Sequence, residues 1–453
     1  MWYNSRKMGH LLQSLHGLCG RLGDFWRHSL MVFVACRPAD LFNLFVGLWL
    51  VPLYISPDEL GAVSPLLQYA GFLSMPASVF AMTFRNELSG LAVRREFGRM
   101  KSLMRGVFLA TAVFLLIAIV VSRFILPIFL ERIRLVEGSL GTLVLLSAFV
   151  GAVAPVYQNA IQSLKKFREF SIINVLGAPI RLVTMLVTMP IRAISGYFAG
   201  QSATPMFQIV ASLFCLRKEL GVKAEPYWNL SVARRFGKLF LLFGIGSATG
   251  SICALVESTV LRQRLPAIDS AGYYMVTRFS EISGYLATSL IFTLFPYAAE
   301  VSARGGSTRP LVLKVCGALV SFSGVLALFF VLFGERLLSF FPHGDEYAPY
   351  WWAIPWAVGI ATASQVVSAY VTAEISANRF GYLRWLAPLT LGYPALLLVV
   401  TGYGYFDTII PASWSEFLST HNISSLKTMM WWMTGFAVAK LGFCARSIWR
   451  DTR

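Results

Sequence analysis

Long, uninterrupted apolar runs recur along the whole chain, and each is the length that crosses a lipid bilayer. Spanning the roughly 30 Å hydrocarbon core takes about 20 apolar residues as a helix, and about twelve such segments can be marked. They cover 29–55, 60–84, 107–130, 139–164, 171–192, 196–216, 238–262, 271–297, 310–333, 350–373, 382–402 and 427–447. The connectors run to some 20 residues at most, too short for a separate soluble domain. Hydrophobic residues make up 56% and charged residues 13%, and mean hydropathy is +0.64, far from soluble composition. The runs are continuous instead of alternating over about ten residues, so they read as helices and not barrel strands. The fold class is an all-α integral membrane protein.

A net charge of +17 invites a nucleic-acid reading, but its placement argues otherwise. Basic residues cluster in alternate connectors, at Arg94, Arg95, Arg99 and Lys101, at Lys165, Lys166 and Arg168, and at Arg217, Lys218, Arg234, Arg235 and Lys238. The opposite connectors are poorer in them and partly acidic, as in SPDEL (56–60) and HGDEY (343–347). This is the positive-inside pattern, which places both termini in the cytoplasm and turns a basic face toward anionic membrane lipids. No nucleic acid is expected as a partner.

The six cysteines, Cys19, Cys36, Cys215, Cys253, Cys316 and Cys444, show no CxxC pair and no disulfide framework. No G-x-x-x-x-G-K-[ST] loop is present, so ATP hydrolysis and a nucleotide cofactor are not expected; no cofactor or metal is implied. Residues 1–28 lack the compact apolar core and cleavage site of a signal peptide. Their leucines recur near helical spacing with arginines between, which suits either an amphipathic helix on the inner surface or a disordered lead-in.

Two stretches look alike. YISPDELGAVSPLLQYAG (54–71) joins the first two runs, and RLPAIDSAGYYMVTRFSEISG (264–284) joins the seventh and eighth. Superposing Gly61 on Gly272 gives an offset of 211, and the same offset lays SVFAMTF (78–84) on SLIFTLF (289–295). With six spans on either side, the repeats keep one orientation in the membrane, related by an axis along its normal. The expected organisation is a lead-in (1–28), an N-lobe (29–216), a cytoplasmic linker (217–237) and a C-lobe (238–453). Transporters built this way bind substrate between their halves and alternate access by rocking.

The short link into Gly272, the LFPYAAEV exit (294–301) and FFPHGDEYAPYWWAI (340–354) together resemble the Wzx-type flippases for lipid-linked oligosaccharides. These belong to the multidrug/oligosaccharidyl-lipid/polysaccharide (MOP) exporter superfamily, which also holds the multidrug and toxin extrusion transporters. The resemblance covers roughly residues 35–450 in span count, half-repeat and charge layout. It implies two pseudo-symmetric six-helix lobes around a central cavity lined by cationic side chains. The implied activity is secondary transport and not enzymatic: an undecaprenyl-pyrophosphate-linked oligosaccharide of O-antigen, capsule or exopolysaccharide assembly is moved from the cytoplasmic to the outer leaflet of a bacterial inner membrane. Other polysaccharide-assembly membrane proteins are implied as further partners.

Charges inside apolar runs are the candidate site. Each costs about 2.5–3.5 kcal/mol at mid-bilayer on insertion scales, so each needs a cavity, a partner or a function. Arginine suits a pyrophosphate because its planar, permanently charged fork binds phosphate oxygens in bidentate fashion. Arg181 lies near the middle of the fifth run, with an interhelical salt bridge as its structural alternative. Arg278 precedes Glu281 by one turn on the same face, which allows mutual neutralisation or phosphate capture with Glu281 as release or proton group. Arg37 and Asp40 flank Pro38 with the same spacing, and become merely interfacial if the first helix starts near Pro38. Arg85 closes the second run, where snorkelling to the surface competes. Glu257 is placed to pair with Arg278 or Arg262. Headgroup phosphate is thus assigned to Arg181, Arg278, Arg37 and Arg85, and ion coupling or charge pairing to Asp40, Glu257 and Glu281.

Two other functions compete. A multidrug–cation antiporter shares the twelve-span plan, but cationic drugs favour acidic cavities and these candidates lean basic. A membrane-embedded polymerase or ligase needs a large exterior catalytic loop, and the longest here, 402–422, carries no obvious acid–base pair.

Overall fold

The computed structural model describes residues 24–135, 140–164, 166–377, 379–400 and 425–450. Twelve long helices appear among them. α1 (Asp24–Phe45) continues through a π-helical turn, Val46–Leu50, into Val51–Tyr54; then come α2 (Pro57–Val93), α3 (Phe97–Arg132), α4 (Leu140–Ser163), α5 (Phe167–Thr188) and α6 (Ala193–Cys215). The second set is α7 (Leu230–Arg264), α8 (Ala267–Ala303), α9 (Arg309–Ser339), α10 (Ala353–Ser376), α11 (Leu383–Val400) and α12 (Leu426–Arg450). No strand occurs among the described residues, and the fold is that of an all-α membrane protein.

The helices outrun the apolar segments. α2 and α8 reach 37 residues, α3 36 and α7 35. Hydropathy drops at Arg, Lys and Glu, yet these are good helix formers, so the backbone continues beyond the membrane edge. Length and apolarity alone qualify α3, α4, α5, α8, α9 and α10 as membrane-crossing. α11 is apolar but shorter, and polar side chains interrupt the runs of others, such as Gln201 and Gln208 in α6 and Glu257 in α7. Residues 24–28, expected in the lead-in, form the first turns of α1; the rest of the lead-in lies outside the described residues.

The same pairs pack in each half. α2 with α3 and α4, α3 with α4, α4 with α6, α5 with α6, and α1 with α5 recur as α8 with α9 and α10, α9 with α10, α10 with α12, α11 with α12, and α7 with α11. Between the halves α2 packs on α8, and the reciprocal pairs α1–α8 and α7–α2 complete the pseudo-symmetry. α3 and α9 occupy equivalent outer positions and carry broad exposed apolar faces, including Leu116, Phe124 and Ile128 on α3 and Val325, Leu328 and Leu332 on α9. Surfaces of that size on a soluble protein would aggregate; here they face lipid.

One end of the bundle carries the basic connectors. At the opposite end a single hydrophobic core draws on all twelve helices, from Leu50 and Leu66 through Met185, Phe198, Tyr274 and Phe330 to Ile354, Leu397 and Met429. Toward the basic end that core divides. One part holds Phe84, Leu103, Ile161 and Phe236, the other Phe25, Leu294, Leu319 and Tyr370. The first helix of each half has crossed over there: Phe25 of α1 joins the C-terminal half and Phe236 of α7 joins the N-terminal half. The buried core is thus common to the two halves at one end and parted between them at the other.

The segment between them is held as a strap. Lys101 donates to the Val222 carbonyl at 2.7 Å, Glu225 N–H to the Gly98 carbonyl at 3.1 Å and Tyr227 to Glu87 at 2.9 Å. The Asn229 side chain caps α7 by accepting from Val232 N–H at 2.8 Å. Trp228 lies on Gly106, where a Cβ would fall 2.1 Å from the indole nitrogen. Gly106→Leu must therefore eject Trp228, and tryptic cleavage after Lys223 is expected to accelerate about tenfold as the strap loses its anchors.

Candidate functional site

Arg181 stands about 21 Å along α5 from the basic end, and Arg278 about 16 Å along α8 from the opposite end, at 1.5 Å per residue. Both reach the level where the common core gives way to the two separate ones. Met185, one turn beyond Arg181, and Phe279, next to Arg278, belong to the common core. Arg181 lies within electrostatic range of Tyr197, Tyr274, Arg278 and Glu281. Two arginines from different halves therefore lie within electrostatic range of each other at the apex of the parting.

Each is held by its neighbours. Gln201 on α6 accepts from Arg181 Nη1 at 3.3 Å and donates through Nε2 to the Tyr197 hydroxyl at 2.7 Å. Arg278 Nη1 is paired with Glu281 Oε1 at 2.7 Å, and its guanidinium lies 4.9 Å from the centre of the Tyr274 ring. Gly47, within the π-helical turn of α1, lets Arg278 pass: a Cβ there would come 2.9 Å from Arg278 Cδ. Such π turns recur at functional sites.

Several polar atoms here are buried without a hydrogen-bond partner: Nε of Arg181, Nε of Arg278, the Tyr274 hydroxyl and Oε1 of Gln365, whose Nε2 donates to Ser283 at 2.9 Å. Two guanidinium groups against one carboxylate leave surplus positive charge, which a low-dielectric surrounding makes costly until an anion arrives. Glu281 is 44% exposed and Arg278 19%. On α8 the exposed face continues through Thr288, Phe292 and Phe295 toward the basic end. The apex therefore opens on that side, and it can bind an anion with several acceptor oxygens.

Of the other expected residues, Arg37 and Asp40 lie about one turn of α8 beyond Glu281, beside Tyr285. α1 extends back at least to Asp24, so the first helix does not start at Pro38, and Arg37 sits about 20 Å along it, paired with Asp40 at 3.0 Å. Arg37 donates to the carbonyls of Phe33 and Tyr285, each at 2.8 Å, and stacks 4.0 Å from the Phe33 ring centre. It fastens α1 to α8. Arg85 lies on α2, but its side chain is outside the described residues. Glu257 lies within range of Lys440 and the Tyr393 phenol, whereas Arg262 donates to the Ile133 carbonyl at 3.1 Å. Five residues on a helix turn the side chain about 140°, which sends the two apart.

Gln201, Tyr197, Tyr274 and Gln365 escaped the sequence reading because it followed formal charge. Lys440 escaped it too, although a lysine within an apolar run is a visible signal; it donates to Ser364 at 3.2 Å and stacks on Phe436.

Neither a protein-family model nor a curated protein sequence matches the chain. Solved structures do match in fold. Lipid II flippase MurJ, in an inward closed conformation, superposes with a TM-score of 0.64 at 12% identity, over 92% of this chain and 87% of its own. A multidrug resistance MATE family transporter of the MOP superfamily, inward-facing, gives 0.61 at 13% identity over 92% and 96%. An outward-facing MATE family transporter gives 0.56 at 13% identity over 94% and 95%. The chain has the fold shared by these transporters.

Proposed function

Starting from a MOP-type transporter fold with two arginines at its centre, we propose that this chain is a flippase for an undecaprenyl-pyrophosphate-linked oligosaccharide. It moves the headgroup of an O-antigen, capsule or exopolysaccharide repeat unit from the cytoplasmic to the outer leaflet of a bacterial inner membrane. The observation that carries the reading is that Arg181 and Arg278, from the two halves, lie within electrostatic range of each other and of one carboxylate, Glu281. The basic end is the cytoplasmic one, with both termini there. The parted end then faces the cytoplasm, and the conformation is one that awaits substrate.

The headgroup enters the parting and its diphosphate meets the guanidinium forks, displacing Glu281 from Arg278. Both lobes then hold the same anion, which favours closing the cytoplasmic side and opening the other. A diphosphate leaving a negative interior gains up to about 4.6 kcal/mol at 100 mV if both charges cross uncompensated. Membrane potential is therefore a sufficient drive, with proton or sodium exchange at Asp40, Glu257 or Glu281 as the coupled alternative.

The test is complementation of a strain lacking its lipid-linked oligosaccharide flippase. Restored surface polysaccharide, with no change in resistance to cationic drugs, is expected; cation efflux without complementation would favour the multidrug antiporter instead. The triple variant Asp40→Asn, Glu257→Gln, Glu281→Gln separates the two drives. Flipping that survives it leaves the potential as the driving force.

A further inference from the structure

The last two helices of each half pair in both halves, but they meet differently. In the N-terminal half α5 and α6 are sealed along their length. Thr204 donates to the Gly177 carbonyl at 2.8 Å and Thr188 to the Gly196 carbonyl at 2.9 Å. A Cβ added at Gly177, Gly196 or Gly200 would come within 3 Å of the facing helix or its own turn, the closest being 2.2 Å from Met185 Cγ. Their counterparts α11 and α12 stand apart. Aromatic rings space them, with Tyr393 stacked on Phe436 at 3.9 Å and Trp385 on Phe443 at 5.9 Å.

A cavity of 640 Å³ lies between them, lined by Leu389, Tyr393, Leu396, Trp431, Trp432 and Phe436. That volume falls in the range of about 300–1,000 Å³ seen for ligand pockets. Gly392 and Gly435 also line it, and a Cβ on either would meet nothing within 4 Å. The space is thus real at two points on facing helices.

We infer that this cleft holds the isoprenoid chain of the lipid whose headgroup the central arginines take, a substrate subsite that rests on the flippase reading. Both walls are membrane helices, so the occupant comes from the bilayer and is apolar. A slot between two helices admits one chain, and a polyprenyl lipid brings one where a phospholipid brings two. The inner wall is a single layer from the headgroup site. Tyr273 of α8 places its hydroxyl 3.7 Å from Met433 Sδ on α12 and is itself within electrostatic range of Arg278. Headgroup and chain can therefore be held by one protein at the same time, with the chain in an apolar slot and the diphosphate at the polar apex. The aromatic lining gives broad, rigid contact at low entropic cost.

The test uses the full chain in phosphatidylethanolamine–phosphatidylglycerol vesicles, photolabelled with diazirine-bearing undecaprenyl phosphate or diazirine-bearing phosphatidylglycerol. Undecaprenyl label is expected on peptides of α11 and α12, and to fall at least fivefold in Gly392→Leu and Gly435→Leu, which fill the slot. Gly324→Leu, on the outer helix α9 with open space around it, controls for insertion and should label as the parent does. Equal cleft labelling by both lipids would mean an ordinary annular acyl chain, and label unmoved by the filling variants would place the chain elsewhere; either overturns the assignment. The flippase reading is judged separately. Export that depends on the arginines with no cleft label sinks only the chain site, and cleft label with export indifferent to the arginines sinks only the flippase.

Discussion

Arg278→Ala is expected to cut export of the lipid-linked oligosaccharide by two to three orders of magnitude in the complementation assay. A hydrogen bond to a charged group contributes about 1.5–3 kcal/mol, so a two-pronged contact with a phosphate at the lower end of that range is worth about 3–4 kcal/mol. At about 1.4 kcal/mol per factor of ten, that is a loss of about 10²- to 10³-fold in apparent affinity. The change also strands Glu281, which loses its 2.7 Å partner and faces the incoming diphosphate as a like charge. Arg278→Lys keeps the charge and gives up the fork, so it should fall between the two. Arg181→Ala should lose nearly as much, because Gln201 and Tyr197 orient that guanidinium and cannot replace it. Export within threefold of the parent in both alanine variants would remove the phosphate-binding role of the pair.

Gly61→Val should open the end of the bundle that is now sealed. Gly61 is where α2 crosses α8, and a Cβ there would lie 2.5 Å from Ser270 Cβ and 3.0 Å from the Ser270 carbonyl carbon. Backbone on one side of a contact cannot give way as a flexible side chain does, so the helices must separate. Overpacking of this kind costs about 1–3 kcal/mol. The cost falls on the sealed state, where the two helices touch, so the equilibrium shifts by about ten- to a hundredfold toward states open at that end. The readout is modification of Val63→Cys by a membrane-impermeant maleimide, since Val63 is fully buried in the common core. A rise of at least tenfold over the same cysteine in the parent is expected. An unchanged rate would mean that the α2–α8 crossing does not hold the seal.

The glycine that makes this crossing is also the one on which the half-repeat was aligned. Gly61 falls on Gly272, and Gly272 in turn admits the Tyr350 ring, 2.5 Å from where its Cβ would be. Both glycines were legible because close approach leaves a mark in the sequence: only glycine fits, whether helix backbone or an aromatic ring lies against it. The i, i+3 pairs Arg37–Asp40 and Arg278–Glu281 were legible for the same kind of reason, since helical geometry alone puts such residues on one face. Both are formed, at 3.0 and 2.7 Å.

Residues joined across helices were not legible. Nothing local distinguishes Arg181, which lies within electrostatic range of Arg278 across the interface of the halves, from Arg37, which bonds the Phe33 carbonyl of its own helix and the Tyr285 carbonyl of α8. Glu257 could not be assigned to Lys440 from spacing, because the two lie on α7 and α12 and come together only through the packing of the second half.

By itself the amino-acid sequence determined that this chain is a helical membrane bundle, that its halves repeat and which charges lie within its apolar runs. Length, hydropathy and charge act along the chain, and the bilayer reads them one segment at a time. Tertiary structure alone decided which charges share a site, that the core is common at one end and divided at the other, and that α11 and α12 stand open where α5 and α6 are closed. Those are outcomes of how side chains from distant helices fill the same space, and no single segment carries that information.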